Sequence, residues 1–184
     1  MTSRTLSKEK IVAAATELIT EQENLTFTKL GHKLGIRSQG IYNYYPDVMA
    51  IKIGVAIHFY DELAVRLRAD LLGLTGKQAI KAFANVCTQF ALSKFQVSQQ
   101  ILSIPVDHAH DKNLDTSFHK IHEILNELLE PFISDNDTKI VISRMLRNLI
   151  IGEIVHVGTG RFNNKLISAR DSFDKMLELT LNEI

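Results

Sequence analysis

The chain is predicted to be all-α, with a three-helix head containing a helix-turn-helix, a long connecting helix and an all-helical body. Three observations predict it. Apolar residues recur at spacings of three and four over long segments, the period of a helix with one buried face. No run alternates apolar and polar residues as a half-buried strand requires. Three prolines and nine glycines in 184 residues leave those periodic segments long.

Taken in order, residues 1–6 read as a loose arm. Ser7 caps a helix running to about Glu21, with Ile11, Ala14, Ala15, Leu18 and Ile19 as its apolar stripe. Gln22 to Asn24 turn the chain into the stretch from Leu25 to Tyr45, LTFTKLGHKLGIRSQGIYNYY. That stretch holds two short helical patterns, roughly 27–34 and 38–44, broken at Gly35. Leu25, Phe27, Leu30 and Leu34 are the apolar positions of the first; Ile36, Ile41 and Tyr44 or Tyr45 are those of the second. Thr26 stands where an N-cap is wanted, and Gly35 where a helix ends in a positive-φ residue. Two short helices joined so tightly cross steeply, which is the helix-turn-helix arrangement that offers its second helix to a DNA major groove.

Pro46 and Asp47 open a helix expected to run from Val48 to about Leu72. Its apolar residues Ile51, Val55, Ile57, Phe59, Leu63 and Leu67 are not confined to a narrow face by this reading. The chain breaks at Gly73 to Gly76. Helices follow over 76–95, 113–130, 136–158 and 164–182, with 96–111 weakly patterned: a short helix ended by Pro105, then a loop. The division expected is a DNA-binding domain over 1–47 and a ligand-binding and dimerisation domain over 48–184. The 140–157 segment is apolar most of the way round, so it must be buried on most sides. Packing of the last two helices on a second copy, as a four-helix bundle, meets that need; the middle of a monomeric core is the alternative. Leu146, Ile150, Ile154, Val157, Phe173 and Leu177 are the candidate dimer residues.

Formal charge is zero, so bulk electrostatics does not announce a nucleic-acid partner. The distribution says more. Before residue 46, Arg4, Lys8, Lys10, Lys29, Lys33 and Arg37 face Glu9, Glu17, Glu21 and Glu23, and the acids concentrate on the first long helix. The single cysteine, Cys87, cannot form an internal disulfide and suits a reducing compartment. No apolar run follows a basic start and no uncharged apolar stretch approaches the length of a membrane span, so a cytoplasmic location is expected.

The residues RTLSKEKIVAAATELITEQ, LTFTKLGHKLGI and IYNYYPDVMAI resemble the DNA-binding head of the tetracycline-repressor (TetR/AcrR) family, over about a quarter of the chain. The segment RMLRNLIIGEIVHVGTGRFNNKLISARDSFDKML is similar to one subgroup's body. The resemblance implies a three-helix head, a long fourth helix, and a variable helical body that binds a ligand and forms the dimer. It also implies repression of a palindromic operator, relieved by a small molecule. The chain departs from the pattern in places. Val48 stands where many members carry a phosphate-clamping lysine, with Lys52 one turn on; Arg37 replaces a small capping residue; Gln39 and Gly40 replace small residues of the reading helix. An altered operator sequence is the expectation.

Base reading calls for side chains with paired donors and acceptors on the exposed side of the second helix. Arg37 can fork onto guanine, Gln39 can bridge adenine, Asn43 lies four residues beyond on the same face, and Ser38 suits a base or a phosphate. Thr26, Thr28, Lys29, Tyr42, Tyr44 and Lys52 are the candidate backbone contacts, and the resemblance strengthens Thr26, Tyr42 and Tyr44. Tyr45 matches a core aromatic. Arg4 and Lys8 are arm residues placed to touch a minor groove or phosphates. Phe59, Phe83, Cys87, Phe90, Phe118, His122 and Met145 make a candidate lining for an apolar or aromatic effector, although each alone is ordinary core.

Two other classes compete. His108 and His110 beside Asp107 and Asp111, and His119 and His122 beside Glu123, make a metal-responsive regulator the weaker alternative, since no cysteine pair or HExxH pattern accompanies them. A helical protein–protein module would use the apolar C-terminal surface but leave the polar reading face without a purpose. Catalysis is not expected: there is no Gly-x-Ser-x-Gly elbow and no GxGxxG loop, and no cofactor is called for.

Overall fold

A computed structural model describes residues 6–109 and 111–182. Among the described residues there are helices and turns and no strand, as the periodicity requires. Arg4 of the expected arm and His110 of the histidine group lie outside the described residues. The chain packs as two compact units: the described residues through Tyr60 together with Gln96–Phe118, and Asp61–Phe95 together with the described residues from His119 on.

In the first unit, α1 (Lys8–Thr20) starts where the Ser7 hydroxyl accepts from the Lys10 amide, and buries Ile11, Val12, Ala14, Ala15, Leu18 and Ile19. α2 (Phe27–Leu34) packs on α1 and on a short 3-10 helix, Ser38–Asn43. α3 (Val48–Asp70) is capped by Asp47, whose Oδ1 accepts from the Ala50 amide at 2.7 Å, and it continues into the second unit. Its buried residues, Ile51, Val55, Ala56, Phe59, Leu63, Ala64 and Leu67, form one stripe at helical period. The face is thus narrower than the sequence suggests, because Ile57 falls off it and is half-exposed. α5 (Phe95–Leu102) and the one-turn α6 (Val106–Ala109) also differ from expectation: Pro105 precedes a further helical turn rather than ending the structure there.

In the second unit, α4 (Gly76–Ser93) stops at Lys94, whose φ −125°, ψ 42° is not helical, two residues earlier than the apolar pattern implies. α7 (Lys112–Leu129) contributes its later turns to this unit. α8 (Asn136–Gly158) packs on both α4 and α9 (Ala169–Leu181) and forms the middle of the unit. α9 begins later than the 164 expected because Ser168 caps it, its hydroxyl accepting from the Asp171 amide at 3.0 Å.

Candidate nucleic-acid interface

The reading segment is held by backbone geometry first. Thr26 is extended and its Oγ1 accepts from the Lys29 amide at 3.2 Å, satisfying one of α2's free donors. At the other end Gly35 takes φ 68°, ψ 31°. That turn lets the Ile36 amide reach the Gly31 carbonyl at 2.9 Å and the Gly35 amide reach the His32 carbonyl at 3.1 Å, the paired bonds of a Schellman close. Gly31 has a separate reason to be glycine. A Cβ there would lie 2.9 Å from the Ile36 carbonyl oxygen and 3.0 Å from the Ser38 amide nitrogen, so the turn folds directly onto α2. Sequence reading attached no role to Gly31. Its signal was a glycine in a helix interior, a position glycine disfavours unless something approaches closely.

Side chains then fix the segment's face. Ile41 is fully buried, and Tyr42 stacks on Phe27 with ring centroids 4.1 Å apart. Tyr45 packs against α3, where a Cβ on Gly54 would meet its hydroxyl at 2.9 Å; burial, then the charge of Glu9, pushes the Tyr45 phenol up. With the apolar side so anchored, Arg37, Gln39 and Asn43 are exposed and Ser38 half-exposed. The side chains of Arg37, Gln39 and Asn43 make no hydrogen bond or ion pair within the described residues. The segment is a tight 3-10 turn, not the α-helix expected over 38–44, so the offset of Gln39 from Asn43 follows three residues per turn rather than 3.6.

The six candidate backbone contacts divide. Thr26 and Thr28 are exposed, and the Thr26 cap uses only the hydroxyl's acceptor side, leaving its proton free to donate. Tyr42 is 55% exposed. Lys52 is half-buried on α3, one turn from its start. Lys29 is paired with Glu23, and Lys33 bridges Glu17 and Glu21, whose hydrogen bonds hold its ammonium above the ordinary range. Tyr44 is different. Its hydroxyl donates to the Leu6 carbonyl at 2.7 Å. A phenol has one proton, so Tyr44 has none left for a phosphate: it fastens the chain before α1 instead.

The remaining candidates fall in both units. Phe59 and Phe118 belong to the first, both against Tyr60, with centroids 5.6 and 5.1 Å from its ring. Burial pushes the Tyr60 phenol up to about 12. Phe83, Cys87, Phe90, His122 and Met145 belong to the second. Phe83 and Cys87 are buried, and burial drives the Cys87 thiol far above its usual range, leaving it neutral. Lys94 lies over the Phe90 ring, 4.9 Å from its centroid. Met145 is 39% exposed, so it faces outward from α8 and does not line an interior.

The dimer residues need a similar correction. Leu146, Ile150, Ile154, Phe173 and Leu177 are already buried within a single chain, so they are not the surface on which a second copy rests; Val157 is half-buried. What α8 leaves exposed is Ile140, Val141, Met145 and Ile151. Gly152 sits beside them, and a Cβ there would meet nothing within 4 Å of its own chain. Among the described residues no group of three or more His, Cys, Asp or Glu is placed to hold a metal ion, and no helix is long and apolar enough to cross a membrane. His119 and His122 lie 6.2 Å apart between centroids, and His122 Nε2 lies 3.2 Å from Arg147 Nη1.

No protein-family model matches the chain, and no curated protein matches it. Solved structures do. The chain is similar to a protein of unknown function from Rhodococcus sp. RHA1, with TM-score 0.82 and 12% identity over 100% of this chain and 98% of that one. It is similar to the transcriptional regulator FadR from Bacillus subtilis in complex with stearoyl-CoA, with TM-score 0.75 and 15% identity over 97% of this chain and 100% of that one. It is also similar to the TetR-like regulator LfrR from Mycobacterium smegmatis in complex with proflavine, with TM-score 0.64 and 15% identity over 95% and 94% of the two chains. At identities this low the likeness is one of fold, and the chain has the fold of the TetR-family transcriptional regulators.

Proposed function

We propose that this protein is a TetR/AcrR-type transcriptional regulator that binds a palindromic DNA operator as a homodimer and is released from it by a small organic effector. Residues 1–47 are the DNA-binding part and 48–184 the effector-binding and dimerisation part. One observation carries the reading: Arg37, Gln39 and Asn43 stand exposed and unengaged on a segment whose other side is fixed by Ile41, Gly31 and the Tyr42–Phe27 stack. Side chains able to fork onto guanine or bridge adenine are thus presented on a rigid support, which direct readout requires. The exposed Val141, Met145 and Ile151 beside Gly152 support a self-complementary surface on α8, where a bare backbone permits close approach. The stearoyl-CoA and proflavine held by two proteins of this fold support an effector in the helical body. Release follows if the effector binds the DNA-incompetent conformation better than the DNA-bound one.

Selection of bound duplexes from a random pool tests this, with Arg37→Ala and Gln39→Ala run in parallel. The expected result is an enriched palindrome whose recovery both substitutions weaken, by about 1–3 kcal/mol at the positions they read. Affinity for it should fall steeply with salt as counterions are released. The competing reading, a helical protein–protein module, is favoured by the exposed apolar side of α8. It predicts no enrichment and no salt-dependent DNA binding.

A further inference from the structure

Arg147 lies on α8 next to Leu146 and one turn before Ile150 and Ile151, in a unit whose interior is mostly apolar. It is half-buried. Its Nη1 meets His122 Nε2 on α7 at 3.2 Å, and its Nε is buried with no hydrogen-bond partner. Within the described residues no carboxylate pairs with it. Six acids of the same unit are committed to other cations: Asp61 to Lys120, Glu62 to Lys94, Asp70 to Arg66, Glu130 to Lys139, Asp174 to Arg170 and Glu178 to Lys81.

His122 does not supply the missing charge. A guanidinium has no acceptor, so His122 Nε2 accepts one of its N–H groups, and burial, then the charges of Arg147 and His119, lowers the pKa of the imidazole. A guanidinium stays charged at any physiological pH, and a partly desolvated charge is unfavourable unless paired. The unpartnered edge, Nε with the outer Nη2, has the spacing that takes two oxygens of one carboxylate or phosphate. A residue held half-buried in this state by its neutral neighbour is prepared for an anion that comes from outside the chain.

We propose that the Nε–Nη2 edge of Arg147 is the anion-binding point of the effector site, and that the effector is an amphiphilic organic acid with a carboxylate or phosphate on an apolar remainder. The same unit buries Phe83 on α4, Leu125 on α7, and Leu146 and Ile150 on α8, an apolar interior suited to such a remainder. The proposal rests on the effector reading above and narrows it from a generally apolar molecule to an anionic one. The His122–Arg147 bond is its positioning element, orienting the guanidinium without touching the ligand.

The test uses the full chain without DNA and three probes of one chain length: octanoate, octyl phosphate and octanol, each titrated by calorimetry. At least one anion should bind about tenfold or more tighter than octanol, as a charge-assisted fork implies. Arg147→Met should bring that anion to octanol's affinity with octanol itself unchanged. Arg147→Lys, a point charge without the fork, should keep part of the margin. The tighter of the two anions identifies the headgroup as carboxylate or phosphate. Anions binding no better than octanol, an Arg147→Met variant of unchanged fold that keeps the preference, or no binding by any probe overturns the proposal. Octanol binding without anion preference leaves an effector site standing while the anion assignment falls. Because no DNA is present, failure of operator selection is a separate result.

Discussion

Substitution of Gly35 separates backbone strain from crowding at the turn on which the reading segment depends. Gly35 holds φ 68°, and a Cβ added there meets nothing within 4 Å. The whole effect of Gly35→Ala is therefore conformational. Left-handed backbone costs an L-residue roughly 1–2 kcal/mol, and alanine recovers roughly 0.4–1 kcal/mol by stiffening the unfolded chain, so the net loss is about 1 kcal/mol. Asparagine tolerates this region and should lose less; β-branched valine should lose more. The order expected is Gly above Asn above Ala above Val. At roughly 4–8 °C per kcal/mol for a small folding unit, the alanine variant should melt that much lower. The readout can be confined to the correct unit, because the chain has no tryptophan and its four tyrosines, Tyr42, Tyr44, Tyr45 and Tyr60, all lie before residue 61. Tyrosine fluorescence thus follows the first unit while far-ultraviolet dichroism follows both. An alanine variant as stable as the parent, or valine no worse than alanine, would refute the assignment of a strained left-handed turn.

Tyr44→Phe removes the bond to the Leu6 carbonyl and should destabilise the first unit by about 1 kcal/mol. The DNA affinity of the folded protein should not change; a loss of affinity would return Tyr44 to the phosphate contacts. Glu153 is buried on α8 with Oε2 unpartnered, and burial raises its carboxyl above the usual range, opposed by the charge of Arg170. The folded state then binds the proton more tightly than the unfolded one. The stability this contributes is full below the ordinary glutamate pKa and is lost as pH rises through the folded value. Glu153→Gln should therefore raise the denaturation midpoint at pH 7.5 and lose most of that advantage by pH 4, and an equal shift at both values would contradict it.

The helices and their punctuation were legible in the sequence because they are set by neighbours along the chain. Ser7, Thr26 and Gly35 act within four residues of themselves, through a hydroxyl that accepts one amide or a backbone free of Cβ, and the structure finds all three in those roles. The exposure of Arg37, Gln39 and Asn43 was legible for a similar reason: a short turn with Ile41 buried leaves few other faces to expose. Tertiary packing decided the rest. Helical period shows that α8 is apolar on most sides, but not which side its own chain covers. Leu146, Ile150 and Ile154 face inward while Val141, Met145 and Ile151 face out, a choice made by α4 and α9 packing on α8. The use of a hydroxyl is likewise invisible until its partner arrives. Tyr44 gives its proton to a carbonyl 38 positions away, and Arg147 meets a histidine 25 positions away on another helix. Sequence alone determined where the chain turns and what each helix has to bury; only the folded arrangement determined which polar groups found partners inside the protein and which did not, since a donor's availability depends on atoms far along the chain.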